Sequence, residues 1–145
     1  MNQADSLPGD ARPAIHLIDR ESEALAGLAL GIADSQPVLS ALLLGEIERA
    51  EVHAADDLPA QTVAMNTLVN FIDEGSGVRR SVHLVYPAEA DIAKGRISIL
   101  TPIGAGLIGL AEGDSIRWPD REGRERALRV MLVVREGELK MSPRH

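Results

Sequence analysis

The apolar and polar positions of the chain follow two different rhythms. From Asp19, apolar residues recur at helical spacing: Ala24, Leu25, Leu28 and Ile32 form one stripe, and Asp19, Glu21 and Glu23 lie at its start, where the helix dipole favours acids and Asp19 can cap. This predicts a helix over about 19–33. Asp34-Ser35-Gln36-Pro37 then interrupts the pattern, and Pro37 is tolerated in the first turn of a second helix. Its stripe is Leu39, Leu42, Leu43, Ile47 and Ala50, with Glu46, Glu48, Arg49 and Glu51 around it. Two helices of about 15 residues joined by a short turn make an antiparallel hairpin with arms roughly 22 Å long. Gly27, Gly31 and Gly45 each lower helix propensity by about 1 kcal/mol relative to alanine, so the hairpin needs tertiary support.

Beyond Asp56-Asp57-Leu58-Pro59 the rhythm changes to alternation. Val69 and Phe71 alternate with Leu68 and Asn70 on a first strand, Gly75-Ser76-Gly77 turns the chain, and Val82, Leu84 and Tyr86 continue on a second. Pro87 ends it, a loop covers 88–95, and a third strand spans 96–100. Thr101-Pro102 then pairs a capping residue with the proline favoured at the first helical position, opening a short Gly-rich helix that lies on the sheet. Glu112-Gly113-Asp114 turns, 115–118 forms a fourth strand, 120–123 turns again, and 125–135 forms a long last strand. The expected fold is α+β: a helical hairpin, then a mostly antiparallel sheet of about five strands with one short helix across it. The chain divides into a loose leader over 1–14, the hairpin over 15–54, the sheet body over 55–137 and a tail over 138–145.

Composition narrows the function. Only Phe71, Tyr86 and Trp118 are aromatic, so the core is aliphatic and stacking platforms for single-stranded nucleic acid are excluded. A net charge of −7 argues against binding nucleic acid through overall charge. Residues 1–66 carry 11 acidic and 3 basic side chains, a net −8, whereas 67–145 carry 11 and 12, a net +1, so the acidity belongs to the hairpin half. Such a split marks either a solvated helical face or an arm aimed at a basic or metal-rich partner. No apolar run approaches the roughly 18 residues of a membrane span, and the N-terminus lacks the pattern of a secretory signal, so a cytoplasmic location is expected. The absence of cysteine fits that compartment and removes disulfides, thiolate metal sites and a cysteine nucleophile.

Several ordered segments carry a resemblance: Met65-Asn66, Leu84-Val85-Tyr86-Pro87, Arg96 through Gly104, and Gly113-Asp114-Ser115-Ile116. Together they resemble the C-terminal domain of the Gre transcription elongation factors (GreA/GreB), most closely the Rnk group, the regulators of nucleoside diphosphate kinase. The resemblance implies an FK506-binding-protein-like (FKBP-like) body, with the hairpin in the place of the family's coiled coil. It also implies docking on bacterial RNA polymerase at the rim of the secondary channel, without catalysis and in competition with Gre factors. The family's docking turn maps onto Leu100, Thr101 and Pro102, although some Gre members carry Asp where this chain has Leu100. Gly113 and Asp114 match the family's Gly-Asp turn, which either touches the partner or only turns the chain. Cleavage-competent Gre factors hold a catalytic magnesium with acidic residues at the hairpin tip, and such a site needs at least two convergent oxygen donors. Here the tip over 31–37 offers Asp34 with its neighbour Ser35, for which helix capping is the plainer role. Short Gre-like cleavage activity through Asp34, and regulation of nucleoside diphosphate kinase levels, stand as alternatives.

Other chemistry finds little support. No cofactor, membrane, small-molecule substrate or sequence-specific nucleic acid is expected. Three scattered aromatics do not readily build the aromatic pocket of a prolyl isomerase. His16, His53, His83 and His145 have no ligand spacing along the chain, which points to no metal site. The glycines over 104–109 lack the Lys-Ser/Thr of a phosphate loop and fit close packing of a small helix on the sheet.

Overall fold

The computed structural model describes residues 12–135; residues 1–11 of the expected leader and the whole of the expected tail lie outside them. A short strand β1 (His16–Ile18) leads into α1 (Asp19–Gly31) and α2 (Pro37–Arg49), after which β2 (Glu51–His53) returns beside β1. The body follows with β3 (Thr67–Asp73), β4 (Val78–Val85), β5 (Arg96–Ser98), α3 (Pro102–Leu107), β6 (Ser115–Pro119) and β7 (Glu125–Arg135). Its sheet runs in the order β5-β4-β3-β7-β6, antiparallel except for the parallel pairing of β5 with β4.

The strands sit where alternation placed them, because one face of the sheet must be buried. On β3, Thr67, Val69 and Phe71 point inward, and on β4, Val82 and Leu84. On β7 the inward set passes from Leu128 and Val130 to Val133, a change of parity. Its cause is a bulge: Asn70 pairs with Leu132 and Phe71 with Val130, which leaves Met131 unpaired and turns the strand's remaining residues over.

The hairpin departs from expectation in its details. Its helices are 13 residues each rather than about 15, so each arm is roughly 20 Å long. Asp19 does not cap α1; the N-cap is Ile18, and Asp19 is the first helical residue. Ala24 is exposed, while Leu25 and Ala29 carry the buried face. Glu46, expected on the polar surround of α2, is 1% exposed. Its carboxylate accepts from Arg49 Nε and Nη2, the latter at 2.8 Å, and from Arg12 Nη1 at 2.9 Å. Arg49 Nη1 also donates to the Pro13 carbonyl at 2.6 Å, so one buried acid ties the incoming chain to α2. With two arginines on it, the buried carboxylate keeps one cationic partner if either is removed, whereas loss of both would leave an uncompensated buried charge, a change that costs about 3 kcal/mol or more.

The tertiary support that the helical glycines require comes from the body. Leu25, Ala29, Leu39 and Leu43 belong to the same buried cluster as Val69, Phe71, Leu107 and Val130, and α2 packs on α3. Ser40 Oγ, buried between the helices, donates to the Ala29 carbonyl at 2.7 Å.

Candidate functional site

The turn before α3 is built by local hydrogen bonds. Ser98 Oγ accepts from the Leu100 N–H at 2.9 Å, and Thr101 Oγ1 donates to the Ser98 carbonyl at 2.7 Å while accepting from the Gly104 N–H at 3.1 Å. Thr101 is thus the N-cap of α3 and Pro102 its first residue, as their order along the chain predicts. Leu100, Thr101 and Pro102 are all half-buried. Gly104 and Gly106 have the close-packing role expected of them: a Cβ at Gly104 would lie 2.6 Å from the Ser98 carbonyl oxygen, and one at Gly106 2.9 Å from the Trp118 ring.

Thr101 and Pro102 also line a concavity of about 590 Å³ in the curl of the sheet, over Phe71 and Trp118. Two of the three aromatics, Phe71 and Trp118, are therefore less scattered than they look along the chain. Both are about 1% exposed, so they form its floor, and polar and charged residues such as Asp73, Arg80, Asp120 and Arg126 share the lining. Within the rim, Arg126 Nε donates to Asp120 Oδ2 at 2.9 Å. Desolvation pushes the Asp120 carboxyl up, but the Arg124 N–H, the Arg126 guanidinium and the Glu122 N–H together hold it below its ordinary range.

Gly113 and Asp114 lie apart from that turn. Gly113 has a φ of +89°, which accounts for the glycine, and Asp114 Oδ2 accepts from the Ala111 N–H at 3.0 Å. Their backbones bond to Val130 on β7, Gly113 donating and Asp114 accepting.

Asp34 and Ser35 sit exposed at the hairpin turn. Neither caps a helix: the N-cap of α2 is Gln36, without a side-chain bond, and Ser35 Oγ makes a long 3.5 Å contact back to the Ile32 carbonyl. Leu30 and Val38, 63% and 72% exposed, flank them with apolar surface.

Two junction features between hairpin and body are not visible in the linear pattern. Glu21 on α1 accepts from the Met65 N–H at 3.1 Å; burial pushes its carboxyl up, against the pull of that bond and of the Arg20 and Arg135 charges. On the outer side, the parallel pairing of β1 with β2 sets His16 opposite Glu51 and Ile18 opposite His53. This brings His16, Glu51 and His53 together, with one ligand atom from each within 4.8 Å of the others. Linear spacing could not show this grouping, because His16 and His53 are 37 residues apart and are brought together by a strand pairing too short to be read in the sequence.

Comparison with known proteins places these features. Residues 58–135 match the family described as "Transcription elongation factor, GreA/GreB, C-term". The "Regulator of nucleoside diphosphate kinase" of Escherichia coli (strain K12) is 33% identical over 108 residues, 74% of this chain and 79% of that protein. "Transcription elongation factor GreA" of Rhodospirillum rubrum is 43% identical over 68 residues, which span 47% of this chain and 43% of that protein. Among solved structures, "Prokaryotic transcription elongation factor GreA/GreB from Nitrosomonas europaea" is 34% identical with a TM-score of 0.65, covering 85% of this chain and 99% of that one.

Proposed function

Because the chain belongs to the GreA/GreB C-terminal family of transcription elongation factors, we propose that it is a transcription regulator that binds bacterial RNA polymerase and performs no catalysis of its own. On this reading the sheet body over 55–137, FKBP-like in its curl, docks at the rim of the secondary channel, and the hairpin over 15–54 stands in for the family's coiled coil. The observation that carries it is the family match across the body, joined to a short hairpin with an exposed tip. Leu100, Thr101 and Pro102 are the proposed contact turn, with Gly113 and Asp114 as a turn that holds β6 against β7. The protein acts in the cytoplasm, in keeping with the finding that no helix among the described residues is long and apolar enough to cross a membrane.

Capture on immobilised core polymerase tests this. Glutamate suits the first turn of a helix, so Pro102→Glu leaves α3 in place while changing the proposed contact. The wild-type chain is expected to bind and to be displaced by a Gre factor, and Pro102→Glu to bind about tenfold more weakly, the equivalent of about 1.4 kcal/mol. Absence of binding, or equal binding by the variant, overturns the proposed mode.

The cleavage alternative has a single carboxylate at the tip, Asp34, where magnesium chemistry needs convergent donors. Release of short RNA from backtracked complexes, lost in Asp34→Ala, would replace the non-catalytic reading. Regulation of nucleoside diphosphate kinase levels rests on the name of the Escherichia coli relative.

A further inference from the structure

We propose that His16, Glu51 and His53 form a zinc site at the base of the helical hairpin, a role separate from polymerase binding and resting on its own geometry. His16 Nδ1 lies 3.0 Å from His53 Nε2 and 3.4 Å from Glu51 Oε1. A tetrahedral zinc ion with ligand bonds of about 2.0–2.1 Å separates its donors by about 3.3 Å. The His16–Glu51 edge already has that length, and the His16–His53 edge needs to open by only a few tenths of an ångström. The third edge closes by rotation of the Glu51 side chain, which is 67% exposed and free to turn.

The backbone under these side chains is fixed from two directions. The His16 N–H donates to the Gly109 carbonyl at 3.1 Å, and the Glu51 N–H donates to the Ile15 carbonyl at 2.9 Å. Gly109 itself, at φ +84°, leaves no room for a side chain, because a Cβ there would lie 2.8 Å from Ile15 Cβ. The ligands thus stand on a two-stranded platform seated on the body, in a geometry that is largely preformed.

Two imidazoles and one carboxylate select a borderline cation over magnesium or calcium, which prefer all-oxygen shells. Three protein ligands leave the fourth position to water, which the partial exposure of His16 and Glu51 admits. Without metal, one imidazole carries its proton on the nitrogen facing the other ring. Binding moves that proton to the ring's other nitrogen, so both facing lone pairs become available and no net proton is lost from the pair. A bound ion would join the strand that enters the hairpin to the strand that leaves it.

Isothermal titration of the full chain with zinc chloride tests the proposal, with cobalt absorption as a second readout. The expected result is one equivalent of zinc, a tetrahedral cobalt spectrum and a rise in unfolding midpoint with zinc concentration. His53→Ala is expected to weaken binding by more than about a hundredfold, beyond the loss from residues that only support a ligand. Glu51→Gln, at an exposed position that leaves the fold intact, keeps the shape and removes the anionic donor, so it too must weaken binding. His83→Ala and His145→Ala must leave it unchanged. No binding, binding that survives both His53→Ala and Glu51→Gln, or binding lost in His145→Ala overturns the site. Polymerase capture by the same variants separates its failure from that of the functional reading.

Discussion

At Gly104 a methyl group would meet backbone on two sides, 2.6 Å from the Ser98 carbonyl oxygen and 3.0 Å from Ile99 Cα. Backbone cannot step aside as a side-chain end can, so Gly104→Ala is expected to lower stability by about 1–3 kcal/mol, the usual range for overpacking. Gly45, inside α2, has no neighbour within 4 Å of the same methyl group. There the helical preference for alanine acts alone, and Gly45→Ala is expected to raise stability by about 0.5–1 kcal/mol. Urea denaturation of the two variants checks the opposite signs. The sequence distinguishes these glycines only partly. The run over 104–109 signals close approach by its density, whereas Glu46 carries no local sign of its burial, because its pairing with Arg49 three residues on looks like any surface helix pair and Arg12 reaches it from 34 residues away.

Among the elements, β3, β6 and β7 are joined at one edge by Glu74, which accepts from Arg129 Nε at 2.7 Å and from Ser115 Oγ at 3.0 Å. The Arg129 and Ser115 hydrogen bonds hold its carboxyl below the ordinary value of 4.5. A folded-state value below the unfolded one adds stability that is fully present above pH 4.5 and fades as pH falls through the lowered value. Glu21 works in the opposite sense: its raised value means that stability falls as pH rises from 4.5 through that value. Glu74→Gln is therefore expected to flatten the loss of stability as pH falls below 4.5, and Glu21→Gln to remove the decline as pH rises above it. Salt weakens the Glu74 effect, because that pair is partly exposed. The strands of this edge were legible because period-two alternation survives wherever one sheet face is buried. β1 and β2 were not, since three-residue strands are too short to show a period, and β5 was expected without its parallel partner.

Over the whole molecule, hairpin and body share a buried cluster that runs from Leu25 and Leu43 to Phe71 and Val130. Trp118, the single tryptophan, lies in that cluster beneath α3, while the helical signal in circular dichroism comes mainly from α1 and α2. Coincident urea transitions by Trp118 fluorescence and by ellipticity at 222 nm are expected for this shared core; an earlier loss of ellipticity would show the hairpin melting alone. The acidic half of the charge split was readable from the sequence, but its seating against the body was not, because the contacts join segments far apart in the chain. The base of the hairpin is anchored by β1, β2 and the Glu46 bonds, while its turn, with Asp34 and Ser35, is exposed, which makes the hairpin a ruler graduated from a fixed zero. Each residue inserted in both arms moves the tip outward by about 1.5 Å and turns it by about 100°. Increments of about seven or eleven residues per arm return the tip to nearly the same bearing. Reach can then change in coarse steps during evolution while the anchored end and the body keep their structure.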